Sequence, residues 1–291
     1  MFAIIGIILV FGAVAGGYLM EHGHLMVLFQ PAELLIIGGA AAGTVLIANP
    51  LATVVAIGKG ILQVFAPSAY TKAFYLENLK MMSDLFVSAR KGGMVKLESD
   101  VEEPEKSPVF SKYPAFLKNH HAVHFVCDSL RIAITGGAGA FELDQMMELD
   151  MEIHHNEVNK PVAALTTVAD ALPGLGIVAA VLGVVVTMGA LGGPPEEIGH
   201  KVAAALVGTF LGILLCYGLL GPLAANLSKV HEQEAEYFRC LRVALISFVK
   251  GSAPILAVEF ARRSVPGPVR PTFKELESLC RGTPPAAVAA S

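Results

Sequence analysis

Few side chains in this chain could do chemistry, and most of them fail on spacing. His120, His121 and His124 invite a zinc site. Only His120 and His124 share a helical face at i, i+4, and no Glu or Cys completes a known ligand set. A polar helix face is the expectation there, and His22 and His24, on the short connection EHGHLMVLFQP, are expected to be solvated. No nucleophile–base pair, phosphate-binding loop or dinucleotide glycine motif occurs, so neither an enzyme nor a cofactor is expected. What is left is two carboxylates, three hydroxyls and one charged segment. Glu33 and Asp170 sit at the edges of apolar runs; Glu33 opens one, where a carboxylate favours the helix dipole, with cation capture as the alternative. Thr187, Thr209 and Tyr217 lie inside apolar runs, where a hydroxyl more often bonds its own helix than lines an ion path. Arg90 and Glu98 flank Gly92-Gly93 and set opposite charges on one exposed edge, which by spacing alone is a solvated helix end.

The elements that position these residues centre on an apolar hairpin, Asp170 to Leu227. Its first arm, Ala171 to Leu191, carries no charge and as a helix is about 31 Å long at about 1.5 Å per residue. That crosses a hydrocarbon core of about 30 Å. The second arm, Val202 to Leu227, is also uncharged. Pro173 and Pro222 fall at the same end of this antiparallel pair, and each leaves a carbonyl without its usual donor. Helices that pack inside an assembly and can bend are the expectation. Two further apolar runs precede them, Phe2 to Met20 and Leu34 to Ile57, the latter broken at Asn49-Pro50. The first has no basic n-region, which argues against a cleaved signal peptide.

The chain is 54% hydrophobic and 16% charged, too apolar for an ordinary soluble domain. Of its 21 basic residues all but Lys201 fall in 59–160 or 229–281, and the positive-inside rule places those blocks in the cytoplasm. A net charge of −4 offers no basic surface for nucleic acid. Four cysteines without paired spacing read as free thiols. The spacing predicts helices over Tyr70 to Lys91, Met94 to Glu103, Tyr113 to Thr135, Phe141 to Val168 (interrupted at Pro161) and Ser228 to Phe260, followed by a flexible tail. The fold class expected is therefore an all-α membrane protein. It has four spans (2–20, 34–57, 170–191, 201–227), a large helical cytoplasmic domain over 58–169, and a cytoplasmic helix and tail over 228–291. Both termini are expected inside an inner (plasma) membrane. No charge lies deep in a span, so any ion path needs a partner to supply the carboxylate.

The order of elements, with SARKGGMVKLESD, VADALPGLGIVAAVLGVVVTMG and GTFLGILLCYGLLGPLAANL, resembles the MotA family of flagellar motor stator subunits from Met1 to about Phe260. The resemblance implies a pentamer around a dimer of a single-span MotB-type partner, whose membrane aspartate carries the ion, H+ in preference to Na+. It implies that Pro173 and Pro222 couple protonation to movement, and that Arg90 and Glu98 engage the rotor protein FliG. Thr209 and Tyr217, with Thr187, are expected to line the path. The alternatives are an ion-driven motor of the ExbB/TolQ type, which has three spans, and a non-conducting membrane scaffold.

Overall fold

The computed structural model describes residues 2–189 and 191–281, apart from the side chains of Met94 and Val95. Helices follow one another in the order α1 (Phe2–Met20), α2 (Leu25–Leu28), α3 (Pro31–Ala48), α4 (Leu51–Val64), α5 (Lys72–Glu102), α6 (Pro114–Leu117) and α7 (His120–Thr135). Then come α8 (Ala140–Met188), α9 (Pro195–Leu215), α10 (Gly221–Val249), α11 (Pro254–Ser264) and α12 (Phe273–Cys280). A π-helical turn, Cys216–Leu220, joins α9 to α10. Among the described residues four helical stretches are long and apolar enough to cross a membrane: Phe2–Met20, Leu25–Ala48, Ala140–Met188 and Pro195–Val249. Two compact units result, Met1–Pro67 with Glu157–His231 and Ser68–Asn156 with Glu232–Ser291.

Small residues organise the first unit. A Cβ added to Gly212 of α9 would lie 2.5 Å from the Leu172 carbonyl oxygen of α8, and one on Gly176 would lie 2.8 Å from that of Gly208. One on Gly183 would meet the Ala205 Cβ at 2.6 Å. Where no water competes, such backbone contact is what draws helices together. Ile37 and Ala41 of α3 complete this seam with Ala169, Leu172 and Ala179 of α8 and Cys216. Val181, Leu182, Val184 and Val185 of α8 stay exposed, an apolar face suited to lipid or neighbouring chains.

The second unit has a conventional core. Helix α5 packs on α7, α11 and α12, and Phe86 stacks on Phe248 with ring centroids 4.2 Å apart. Several polar groups buried here are paired. Tyr237 donates to Asn78 Oδ1 at 2.7 Å, and the Tyr113 hydroxyl donates to Asp84 Oδ2 at 2.7 Å. The chain remains packed past Ser264: Val265 is fully buried, and Thr272 and Glu275 form a capping box that starts α12. The disorder expected after Arg263 belongs to the end of that stretch, and 282–291 lies outside the described residues, while the chain is ordered into helices and turns up to Arg281.

Prolines explain most departures from the sequence reading. Pro50 cannot donate and holds Asn49 extended, so α3 ends at Ala48, and the apolar stretch is Leu25–Ala48 rather than 34–57. Pro161 does not interrupt: α8 runs on for 49 residues with Pro161 and Pro173 inside it. Between the two prolines, Thr166 and Thr167 donate to the carbonyls four residues back, at 3.0 and 2.9 Å. The helix expected over 228–260 breaks instead at Gly251, whose φ of 91° lies in the left-handed region, before Pro254 restarts it as α11.

Candidate functional site

The charged segment lies on α5. Gly93, with φ 74° and ψ −177°, kinks α5 where Gly92-Gly93 was expected to stop the helix. Arg90 precedes the kink and Glu98 follows it, and both are exposed. They do not form a symmetrical pair of solvated charges. The Arg90 guanidinium donates from one nitrogen to the carbonyl oxygens of Gly251 at 2.9 Å and Ser252 at 3.2 Å, in the turn between α10 and α11. Carbonyls at a helix C-terminus carry partial negative charge, so this dock is electrostatically favourable. It holds the cation at a set place while leaving it open to solvent. Glu98 has no ion pair among the described residues.

The membrane-type residues lie in the first unit. Pro173 is half-buried inside α8, and Pro222 is exposed two residues after the end of the π turn. Without an N–H, Pro222 cannot close the regular bond to the residue four back, and the preceding turn takes the wider π form. Gly221 fits that turn because a Cβ there would lie 2.9 Å from the Cys216 carbonyl oxygen. Tyr217, within the π turn, is 73% exposed. Thr209 is half-buried on α9. Thr187 is buried, and its hydroxyl donates to the Gly183 carbonyl at 2.8 Å, the helix-bound arrangement weighed above. The three hydroxyls therefore differ in availability, Tyr217 most and Thr187 least.

Three features were not read from the sequence. Glu33 turns inward from the first turn of α3 and is buried against α9, although its position in an acidic first turn is the one expected. The π turn has no residue-pattern signature beyond Gly221-Pro222. The third is a ring stack of His121 on His154, centroids 3.8 Å apart, with His154 Nε2 3.5 Å from Glu234 Oε1. His120 and His124, the pair with helical spacing, are both exposed. Burial, and next the neighbouring His154, push the His121 pKa down. Helical periodicity cannot report a partner 33 residues away on another helix. Among the described residues no three ligand-type side chains converge on a metal position.

Comparison with known proteins bears on the whole chain. Residues 4–93 match the family model "Motility protein A N-terminal", and residues 118–239 match "MotA/TolQ/ExbB proton channel family". Motility protein A of Escherichia coli (strain K12) is 41% identical over 281 residues, 97% of this chain and 95% of that protein. The structure of the flagellar MotAB stator complex from Bacillus subtilis is similar with TM-score 0.70 and 27% identity, over 88% of this chain and 92% of that one. The C. jejuni MotAB structure, at 19% identity, shares the fold with TM-score 0.74, over 91% and 95%. With apolar helices able to cross a membrane four times and 41% identity to a motility protein A along nearly its whole length, the chain belongs to the MotA/TolQ/ExbB proton channel family, as a multi-pass stator-type ion-channel subunit of the flagellar motor.

Proposed function

We propose that this chain assembles, as a pentamer around a dimer of a single-span MotB-type partner, into a proton-driven stator that turns the flagellar rotor. The partner's membrane aspartate carries the proton; Thr209 and Tyr217, with Thr187, line its route; Pro173 and Pro222 let the surrounding helices respond. The unit Ser68–Asn156 with Glu232–Ser291 is the cytoplasmic part, both termini are inside, and Arg90 and Glu98 meet opposite charges on FliG. The observation that carries this reading is the wide turn at Cys216–Leu220 beside Pro222, in an apolar helix next to a second, continuous helix that lacks a backbone donor at Pro173. Two helices with missing backbone bonds are built to bend, and no ionisable group in their apolar stretches supplies a relay of its own. A proton moving inward releases about 2.3 kcal/mol per 100 mV, so each step has modest energy and the contact with the rotor must be weak enough to release.

The test is cytoplasmic pH on acidifying the medium, in cells that express this chain with a MotB-type partner lacking its channel-closing plug. Controls are each chain alone and the partner with its membrane aspartate changed to asparagine. Acidification that requires both chains and the aspartate is the expected result. Flux that follows sodium instead would reassign the ion, and no flux of either ion would leave a scaffold.

A further inference from the structure

Glu33 is 6% exposed, and its Oε2 has no hydrogen-bond partner among the described residues. It points at a place on α9 that only glycine leaves open: a Cβ on Gly208 would come within 2.6 Å of this oxygen. Thr209 is the next residue. One turn back along each helix, Gln30 and Ala204 line a cavity of about 730 Å³, whose walls also include Glu196, Glu197, His200 and Lys201. The cavity is polar where α9 begins, and Glu197 pairs there with Lys201 at 2.9 Å. A buried carboxylate oxygen without a donor has an acceptor position that a proton can occupy, and this one, unlike the unpartnered oxygen of Asp100, lies in the apolar part of the chain beside Thr209.

We propose that Glu33 is a proton-holding group of the ion path, loaded from the cavity whose polar wall is the start of α9 and unloaded deeper in the assembly. This rests on the stator reading above and adds a carboxyl of this chain to the one the partner supplies. On loading, a hydronium gives its proton to Oε2, forming the carboxyl O–H and leaving water. On unloading, that O–H breaks, the proton goes to the next acceptor, and the carboxylate returns. The other charged or titratable side chains on the parts of the helices packed around α3 include Glu196, Glu197, His200 and Lys201 on α9, Asp170 on the apolar part of α8 and Lys59 on α4. Lys201 brings positive charge to the cavity mouth, and Glu196 and Glu197 offset it.

The experiment compares wild type, Glu33→Gln, Glu33→Asp and Gly208→Ala, each with the MotB-type partner, at matched amounts of copurified complex. Cytoplasmic acidification is followed over a range of external pH and, separately, of external sodium. Wild-type flux that requires both chains establishes the stator reading independently of Glu33; its absence removes that reading and this proposal with it. Glu33→Gln should lower maximal flux and move the half-maximal external pH by about one unit, a tenfold change in apparent proton affinity. Glu33→Asp should keep part of the flux, and Gly208→Ala, by displacing the carboxyl, should resemble Glu33→Gln. Wild-type flux and pH profile in Glu33→Gln would overturn the proposal. So would a response that moves with sodium and not pH, or equal loss of copurified complex in both Glu33 variants, which would make Glu33 an interface contact.

Discussion

Arg90 is the residue at which charge and architecture meet most closely. Its guanidinium rests on two main-chain oxygens, and an exposed ion pair of the kind proposed with the rotor would be worth about 0.2–1 kcal/mol and weaken with salt. Arg90→Glu should therefore impair rotation and be partly rescued by a compensating charge reversal on FliG, read as swimming speed. An undiminished speed would return Arg90 to a helix-end cap. His121 yields a different prediction. Its folded pKa lies below the unfolded value of about 6.5, so the stability it contributes is complete above that pH and falls as pH drops into the window beneath it. Thermal melting of the purified stator should accordingly fall between pH 7 and 5, and His121→Gln should flatten that dependence. Types and spacing made Arg90 and Glu98 visible as charged, exposed residues. They could not show where Arg90 would dock, because its acceptors are backbone atoms far along the chain.

Helices in this protein are shaped by where backbone bonds are missing. Gly93 bends α5 at φ 74° and ψ −177°, a region open essentially only to glycine, which costs an L residue about 1–3 kcal/mol. Gly93→Ala should lower the melting temperature modestly while moving Glu98 relative to Arg90, so motility should fall further than stability does. A loss of motility no greater than the loss of folded protein would leave the kink without a role in rotor contact. Pro173→Ala restores a donor within α8; it should abolish torque and leave membrane insertion and copurification with the partner intact, and normal swimming would contradict a coupling role. The breaks at Asn49-Pro50 and Gly92-Gly93 were legible because proline and glycine act locally. Helix α8 passing through Pro161 was not, since packing along a long helix can outweigh one lost bond. The π turn was hidden for the same reason: it is set by how the helix continues on both sides of Gly221-Pro222.

At the scale of the molecule, apolar runs and charge blocks were enough to separate a membrane part from a polar part, because both follow from composition. The part played by the C-terminal stretch was not legible. Its proline-rich sequence looks like a tail, yet Val265 and Leu276 belong to the same core as Leu85 and Phe86. A chain ended after Val249 should still insert in the membrane but show its 68–156 segment digested quickly by limited proteolysis; unchanged resistance would mean that core stands without α11 and α12. The same interleaving governs how the protein is made. Phe86 and Leu130 leave the ribosome well before Phe238, Leu241 and Leu245, against which their core is completed, and the whole of Glu157–His231 is synthesised in between. At about 5–20 residues per second that interval is on the order of ten seconds. For that time every nascent chain carries a half-built apolar surface, so its yield in the cell is set by what shields that surface as much as by the stability of the finished fold.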